Sequence, residues 1–295
     1  MGRAIVVLSA HTVTIDFALI AVSNFAIATI MYLLVSKQQN AFHLGLTNDG
    51  VWRAGSIVFA PASFFLLSGY AESLSLVLTY LMFSDVMRSP RLKALVAGLS
   101  SVTSPIGLAA TLIFLVYQFR GNSYLRFTKS RGLTTGAIAL LPFSMWSVFL
   151  LWRFGNPLAW ITAQQGWARS FTLPFVPMIQ IMQQMKGEPW EILRNIANIG
   201  TLTFLFILIF ILCRRPHEWR FRLYAFVFFI VSTSTMVHSE GVVYAEALFR
   251  HCFCNLWFLE AYWRFFRKHR RRLLLLSLIL MSSTDYLLLL GYPMT

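Results

Sequence analysis

A glutamate lies within a long apolar stretch, at Glu72 in the segment Tyr70-Ala71-Glu72-Ser73. A carboxylate below a bilayer surface is costly and usually marks a polar pathway or a binding site. It could bind a metal ion, hold a sugar hydroxyl or act as a general base. The competing interpretation is an acid in the first turn of a helix. We predict a supporting or metal-side catalytic role for Glu72, with Tyr70 and Ser73 as substrate contacts and the general base unidentified.

Two further groups of polar residues could bind an anionic or hydroxylated ligand. Arg250 begins an apolar segment, and its guanidinium can hold a phosphate through paired hydrogen bonds; His251 follows it. The alternative for Arg250 is a side chain extended to the membrane surface. Gln164, Trp167 and Arg169 could bind a sugar or a phosphate, since aromatic faces stack on sugar rings and amides bond hydroxyls. Interfacial aromatic residues also occur without a ligand.

The other reactive residues fit structural roles. Asp16 follows a threonine-rich helix entry, and Asp285 has no obvious partner in the sequence. Cys252 and Cys254 lie two residues apart and do not face each other on a helix, while Cys213 ends an apolar run. Three cysteines are too few for a disulfide framework, and the sequence shows no four ligands at the spacing of a zinc site. Phosphate-binding glycine loops, zinc-peptidase spacings and a nucleophile elbow are absent from the sequence.

Composition indicates that these residues belong to a membrane protein. The chain has 295 residues, of which 57% are hydrophobic and 12% are charged, whereas soluble domains carry about 25% charged residues. Several apolar runs approach the length of about 20 residues that a spanning helix needs. We predict an all-α, polytopic bundle of about eight to ten transmembrane or re-entrant helices, forming a single domain over residues 1–295.

The net charge of +14 comes from short basic clusters between apolar segments. Such clusters indicate contacts to anionic lipid, and no basic domain favours a nucleic-acid partner. The positive-inside rule assigns them to the cytoplasm. Five segments contain 19 of the 25 Lys and Arg residues: 37–53, 86–93, 119–131, 214–222 and 264–272.

This orientation predicts the position of a pocket. The stretch 54–86 then forms a hairpin with its tip near Glu72, and 94–118 forms either a re-entrant pair or one tilted helix. Irregular backbone at membrane depth is tolerated where it lines a wet cavity. We therefore expect a recessed pocket on the extracytoplasmic side, covered by one or two interfacial helices from a capping segment, 153–195. Helices are also expected over 132–152, 219–237 and 243–263, among others.

The order of five sequence blocks resembles a known family. The blocks are "SNFAIATIMYLLV", "FAPASFFLLSGYAESLSLVLTYL", "LVAGLSSVTSPIGLA", "RFGNPLAWITAQQGWAR" and "ALFRH". Together they resemble the bacterial relatives of GPI mannosyltransferase II, the PIG-V-type proteins of the GT-C glycosyltransferase class. The resemblance covers nearly the whole chain. Its most specific block is the Pro-Ala-Ser…Tyr-x-Glu-Ser segment.

The resemblance implies a GT-C-like helical fold in the bacterial plasma membrane with an extracytoplasmic active face. It implies transfer of mannose or a similar hexose from a polyprenyl-phosphate sugar, without a nucleotide sugar and with a divalent metal ion left open. The partners are then the lipid bilayer, the lipid-linked donor and a possible partner subunit. The alternative is a non-catalytic membrane subunit that binds a lipid-linked sugar or scaffolds a partner glycosyltransferase.

Two departures from the family pattern lower the expected activity of this chain. The family carries its catalytic acid in a first extracytoplasmic loop, which we expect to be missing here together with the N-terminal helix. The family's re-entrant tip contains an Arg-Pro-x-Gly turn, where this chain has Ser104-Pro105-Ile106-Gly107. We therefore expect an N-terminally shortened chain with little transferase activity of its own.

Overall fold

Helices make up most of the described part of the protein, as predicted. The computed structural model describes residues 14–35, 66, 71–84, 86–119, 129–165, 169–183, 219–239 and 242–245, together with isolated helical positions within 192–210 and 275–279. In chain order the elements are α1 (Ile15–Val35), α2 (Ala71–Phe83), α3 (Pro90–Ser101), α4 (Pro105–Phe119), α5 (Lys129–Phe154), α6 (Ala159–Gln165), β1 (Arg169–Phe171), α7 (Val176–Gln183), α8 (Trp219–Ser234), β2 (Thr235–Ser239) and β3 (Val242–Ala245).

Two helices are long and apolar enough to cross a membrane. The candidate spans are Phe17–Leu34 in α1 and Gly132–Phe154 in α5, of which 39% and 22% are buried. A core helix of a soluble protein is buried over most of its length, whereas α5 exposes large apolar side chains such as Trp152 and Val148. Two helices therefore support the assignment to membrane proteins. The multi-pass bundle stays a prediction.

The stretch 94–118 forms two helices rather than one tilted helix. Helices α3 and α4 pack against each other, and the turn Val102–Ser104 joins them. The Thr111 hydroxyl donates a hydrogen bond to the Ala97 carbonyl across the pair. At Gly107 an added Cβ would lie 1.9 Å from the Ser100 carbonyl oxygen. Glycine is therefore required where the two backbones approach.

The helices pack in a chain of neighbours around one apolar core. Helix α1 packs on α2, α2 on α3, α3 on both α4 and α5, and α4 on α8. Large, fully buried side chains at the centre include Tyr80, Phe83 and Phe114. The rings of Phe83 and Tyr224 lie 6.1 Å apart and connect α2 with α8. This core holds the α3–α4 hairpin in place beside α5.

The described residues are mostly helical, as the all-α prediction expects, and they also form one short three-stranded antiparallel sheet that the prediction did not include. The strand order is β1-β2-β3, with Arg169 opposite Val237 and Val237 opposite Tyr244. The helix predicted over 219–237 ends at Ser234, and the start of the helix predicted over 243–263 is a strand. In the described part of the capping segment, where one or two interfacial helices are predicted, lie the short helices α6 and α7, with β1 between them.

The reason for this error lies in local residue preferences. Thr235, Val237 and Val242 are β-branched and favour strands. The strand runs are separated by two residues, Glu240-Gly241, and two residues including a glycine are the commonest length of a hairpin connection. The predicted helices 219–237 and 243–263 rest instead on the apolar residues of these segments. We call residues 159–183 and 235–245 the cap, because β1 pairs with β2 and α7 packs on β3.

Candidate functional site

A pocket of about 170 Å³ lies at the turn of the α3–α4 hairpin. Three parts of the fold line this hairpin-turn pocket: the segment 101–105 with Leu108, the α5 side chains Phe143 and Trp146, and Trp160 from α6. The volume corresponds to roughly five or six water molecules at about 30 Å³ each, which is room for one small ring. The predicted tip and the predicted capping segment therefore meet at one pocket.

The polar wall of the pocket follows from the way α3 ends and α4 begins. The Ser104 hydroxyl accepts a hydrogen bond of 3.0 Å from the Gly107 N–H, and Pro105 occupies the first helical position. Ser101 donates its hydroxyl proton to the Gly98 carbonyl at 2.6 Å, and Thr103 donates to the Ser100 carbonyl at 2.7 Å. These short hydroxyl side chains stop the helices and line the pocket.

The aromatic wall is supplied by α5, which packs closely on α3. A Cβ on Gly98 would lie 2.6 Å from both the Ala139 carbonyl oxygen and a Pro142 ring carbon. Small residues at such a crossing let helix backbones approach in membrane proteins. This contact positions Phe143 and Trp146, one and two turns further along α5, beside the hairpin turn.

Trp160 reaches the pocket because the chain reverses sharply after α5. Gly155 has a positive φ of 69° and its N–H donates to the Leu151 carbonyl at 2.8 Å, as in glycine-terminated helices. The Asn156 side chain then accepts a hydrogen bond from the Leu158 N–H at 2.9 Å. Helix α6 starts immediately afterwards. The Trp160 Nε1 atom is buried and has no hydrogen-bond partner among the described residues.

The structure places Glu72 in the first turn of α2, where the competing interpretation of the sequence expected an acid. Glu72 is half-buried and Ser73 is fully buried. Both residues belong to α2, which packs on α3. Neither residue belongs to the lining of the hairpin-turn pocket.

The capping-segment predictions are described only in part. Gln164 lies in α6, one turn after Trp160, and Arg169 begins β1 with its backbone opposite Val237. Trp167 lies outside the described residues, and so do Tyr70, Arg250, His251 and Asp285. Asp16 lies in the first turn of α1, which Thr14 caps by accepting a hydrogen bond from the Phe17 N–H.

The open question of a metal ion gains no support from the residues that the structure describes. Within those residues, no three His, Cys, Asp or Glu side chains form a group that could hold one. The described residues that line the hairpin-turn pocket likewise include no charged side chain; they are hydroxyl-bearing, aromatic and aliphatic residues, with two tryptophans among them. These groups suit an uncharged ligand.

The sequence contained signals for the pocket residues that were not used. The run Ser100-Ser101-Val102-Thr103-Ser104 places four hydroxyl residues within an otherwise apolar stretch. Trp160 belongs to a motif in the capping segment, but only its neighbours were assigned to the site. Phe143 and Trp146 have the composition of lipid-facing residues, so no local signal separates them from Trp152.

Comparison with known proteins finds no similar family model, no similar curated protein and no similar solved structure. The resemblance to the PIG-V-type transferases therefore rests on the sequence blocks alone.

Proposed function

We propose that the protein is a GT-C-type membrane hexosyltransferase that uses a polyprenyl-phosphate sugar as donor and acts on the extracytoplasmic side. The observation that carries the proposal is the hairpin-turn pocket, which is lined both by the hydroxyl residues Ser101, Thr103 and Ser104 and by the aromatic residues Trp146 and Trp160. A hexose ring offers apolar C–H faces for aromatic rings and hydroxyls for hydrogen bonds. The pocket has both kinds of wall and the volume of one ring.

The lengths of α3 and α4 support a site within reach of a membrane-bound donor. The helices have 12 and 15 residues, or about 18 and 22 Å at 1.5 Å per residue. Both are shorter than a hydrocarbon core of about 30 Å. A turn between two such helices lies below the membrane surface if they enter from the other side, and a lipid-linked sugar can then reach the pocket laterally.

The cap supports the location of the pocket at a membrane boundary. Strands β1 and β3 are the edge strands of the sheet that the described residues form, and sheet edges do not face lipid hydrocarbon because their backbone groups would lack partners. We therefore place the cap at the interface or in water. The pocket lies between this cap and α5, a helix with exposed apolar residues. A lipid-linked sugar needs such a position, because its head group is polar and its chain stays in the membrane.

The transfer follows from the donor chemistry that the family resemblance implies. The acceptor hydroxyl oxygen forms a bond to the anomeric carbon, and the bond from that carbon to the polyprenyl-phosphate oxygen breaks with inversion. The phosphate leaves with the electron pair, and the acceptor proton passes to a base that we do not assign to a residue of this chain. Glu72 is the proposed supporting acid, and Arg250 is the proposed phosphate partner.

A non-catalytic subunit that binds a lipid-linked sugar is the second candidate. It is favoured by the composition of the pocket, because no carboxylate is among the described residues that line it. Such a protein would hold the sugar for a partner transferase. It would keep the sugar affinity of the pocket and show no turnover alone.

The two candidates are separated by measuring binding and transfer on the same protein in liposomes. We expect saturable binding of polyprenyl-phosphate mannose, weakened about tenfold by Trp146→Ala, in line with about 1–1.5 kcal/mol for an aromatic contact. Trp152→Ala is the matched control, because it changes the same residue type on α5 at an 80% exposed position. It should leave binding unchanged.

The outcomes of this experiment are distinct. Transfer of mannose that is abolished by Glu72→Gln supports the enzyme. Binding without transfer, with a partner transferase in co-purified material, supports the subunit. Neither binding nor transfer of the lipid-linked sugar by the unmodified protein contradicts both candidates.

A further inference from the structure

One exposed face of α4 begins in the hairpin-turn pocket. Pro105 and Leu108, in the first turn of α4, line the pocket. Leu112 and Val116 follow Leu108 at four-residue intervals and are 50% and 43% exposed. Side chains four residues apart lie on the same side of a helix, and they lean toward its N-terminus. Leu108, Leu112 and Val116 therefore form one apolar row, the outer row of α4, which is continuous with the pocket.

The opposite face of α4 fixes the orientation of this row. Ala110 and Phe114 are fully buried in the core of the bundle. The Thr111 hydroxyl donates a hydrogen bond to the Ala97 carbonyl of α3. Because these contacts hold α4 in one rotation about its axis, the outer row stays on the surface of the bundle.

The outer row leads from the pocket into the hydrocarbon in the orientation that the basic clusters predict. Helix α4 is followed by the basic segment 119–131, which the positive-inside rule assigns to the cytoplasm. From Leu108 to Val116 the helix rises by about 12 Å. No charged residue occurs between Pro105 and Phe119. An apolar chain attached to a head group in the pocket can therefore follow the outer row without leaving the membrane.

A second row of exposed side chains leaves the pocket in the other direction. The ring of Trp146 stacks on that of Phe149 at 5.5 Å, and the Phe149 ring meets that of Trp152 at 6.2 Å. This row runs toward Phe154, where α5 ends and the cap follows. A chain on this row would leave the hydrocarbon for the membrane boundary. The outer row of α4 is therefore the better match for an apolar chain.

We propose that the outer row of α4 binds the isoprenoid chain of the lipid-linked donor next to its phosphate, and that Leu112 and Val116 determine the preference for donor chain length. The inference rests on the proposed function, and it deepens that function by assigning the lipid part of the donor to one helix face. Apolar groups gain no hydrophobic free energy by leaving lipid for protein, so the contact depends on packing between the chain and the row. Its contribution is modest and confined to chains that reach both residues.

The test compares two donors on the full chain in liposomes. The probes are mannosyl phosphates esterified with either a single isoprene unit or a long polyprenyl chain. Each affinity is expressed relative to the donor concentration in the membrane, so that partitioning cancels. We expect Leu112→Ala combined with Val116→Ala to bind the long donor about fivefold more weakly, because the lost carbons no longer contact the chain. Binding of the short donor should be unchanged, which also shows that the double variant is folded.

Leu133→Ala combined with Val148→Ala is the matched control. It removes the same two residue types from exposed positions of α5 that do not line the pocket, and it should bind both donors as the unmodified protein does. A second measurement locates the chain directly. A long donor with a photoreactive diazirine on its second isoprene unit should label residues 105–119, and an excess of the long donor without the diazirine should prevent this labelling.

Three results would overturn the inference while leaving the proposed function in place. Unchanged affinity of the double variant for the long donor would mean that bilayer lipid covers the outer row. Equal losses for the short and the long donor would mean that the substitutions act on the pocket rather than on the chain. Labelling confined to segments other than α4 would place the chain elsewhere. If neither donor binds the unmodified protein, the proposed function fails, and this inference fails with it.

Discussion

The helical bundle and the cap satisfy their backbone hydrogen bonds in different ways. In α1 and α5 the bonds run within each helix, which is what a lipid environment demands. In the cap they run between distant segments: β1 pairs with β2, and the Thr172 N–H donates to the Ser234 carbonyl at 2.8 Å. The comparison teaches that the two candidate spans satisfy their backbone groups locally, whereas the cap depends on pairing between distant parts of the chain.

The two regions also differ in how their side chains permit close packing. The bundle uses glycines, since α3 has Gly98 against Ala139 and α4 has Gly107 against the Ser100 backbone. The cap uses an aromatic residue at a strained position: Phe175 has a φ of 70°, and its ring meets that of Phe229 edge-on at 5.7 Å. Substitutions in the bundle should consequently be the more damaging.

The largest effect is expected from a charge on the exposed face of α5. Leu141 lies at the middle of the helix and is 54% exposed. An arginine at the centre of a spanning helix costs about 2.5–3.5 kcal/mol of insertion free energy. Leu141→Arg should therefore reduce the membrane-integrated fraction of the full chain strongly, as measured in a translation and insertion assay.

Leu133→Arg is the matched control for this prediction. Leu133 is 68% exposed but lies near the start of α5, where an arginine side chain can extend to the surface. It should insert nearly normally. Equal and small effects for both variants, within about 0.5 kcal/mol as for a water-exposed surface, would contradict a lipid-facing α5.

A second, somewhat smaller effect is expected at the hairpin. In Gly107→Ala the new Cβ would lie 1.9 Å from the Ser100 carbonyl oxygen, so α3 and α4 must move apart. Overpacking of this kind costs about 1–3 kcal/mol, and we expect about 2 kcal/mol in the free energy of unfolding. Thermal unfolding in detergent measures it.

Gly200→Ala provides the comparison for the hairpin variant. A Cβ at Gly200 meets no atom within 4 Å, and alanine is favoured over glycine within a helix by about 0.5–1 kcal/mol. This variant should be at least as stable as the unmodified protein. A Gly107→Ala protein that unfolds at the same temperature as Gly200→Ala would disprove the close contact at the pocket.

The smallest effect is expected at Phe175 in the cap. The Val176 N–H donates to the Leu173 carbonyl at 3.2 Å, so Phe175 occupies the turn position that favours glycine when φ is positive. Phe175→Gly relieves about 1–2 kcal/mol of strain and loses an aromatic contact of about 0.5–1.5 kcal/mol. We expect stability near that of the unmodified protein.

Phe175→Ala separates these two contributions. It loses the contact with Phe229 and keeps the strained backbone, so it should be about 1 kcal/mol less stable than Phe175→Gly. The same thermal unfolding measurement applies. Equal stability of the two variants would show that the backbone at Phe175 is not strained. The contrast between the cap and the bundle in backbone strain would then disappear.

Local sequence signals account for much of the bundle. Ser104-Pro105 correctly marks the turn between α3 and α4, and α5 covers the predicted span 132–152 with a few more residues at each end. Glu72 lies at a helix start, where one of the two interpretations expected it. These features depend on residues within one or two turns of each other, which a sequence displays directly.

The sequence by itself determined the break between α3 and α4, the span of α5, the apolar class of the chain and the hydroxyl run at the hairpin turn, because each depends on neighbours along the chain. Only the tertiary structure decided which residues share the pocket. Trp146 joins Ser101 and Ser104 there through the close contact at Gly98, and Trp160 joins them through the turn at Gly155. The β1–β2 pairing likewise joins segments more than sixty residues apart. Such contacts depend on how whole elements pack, and no local pattern specifies them.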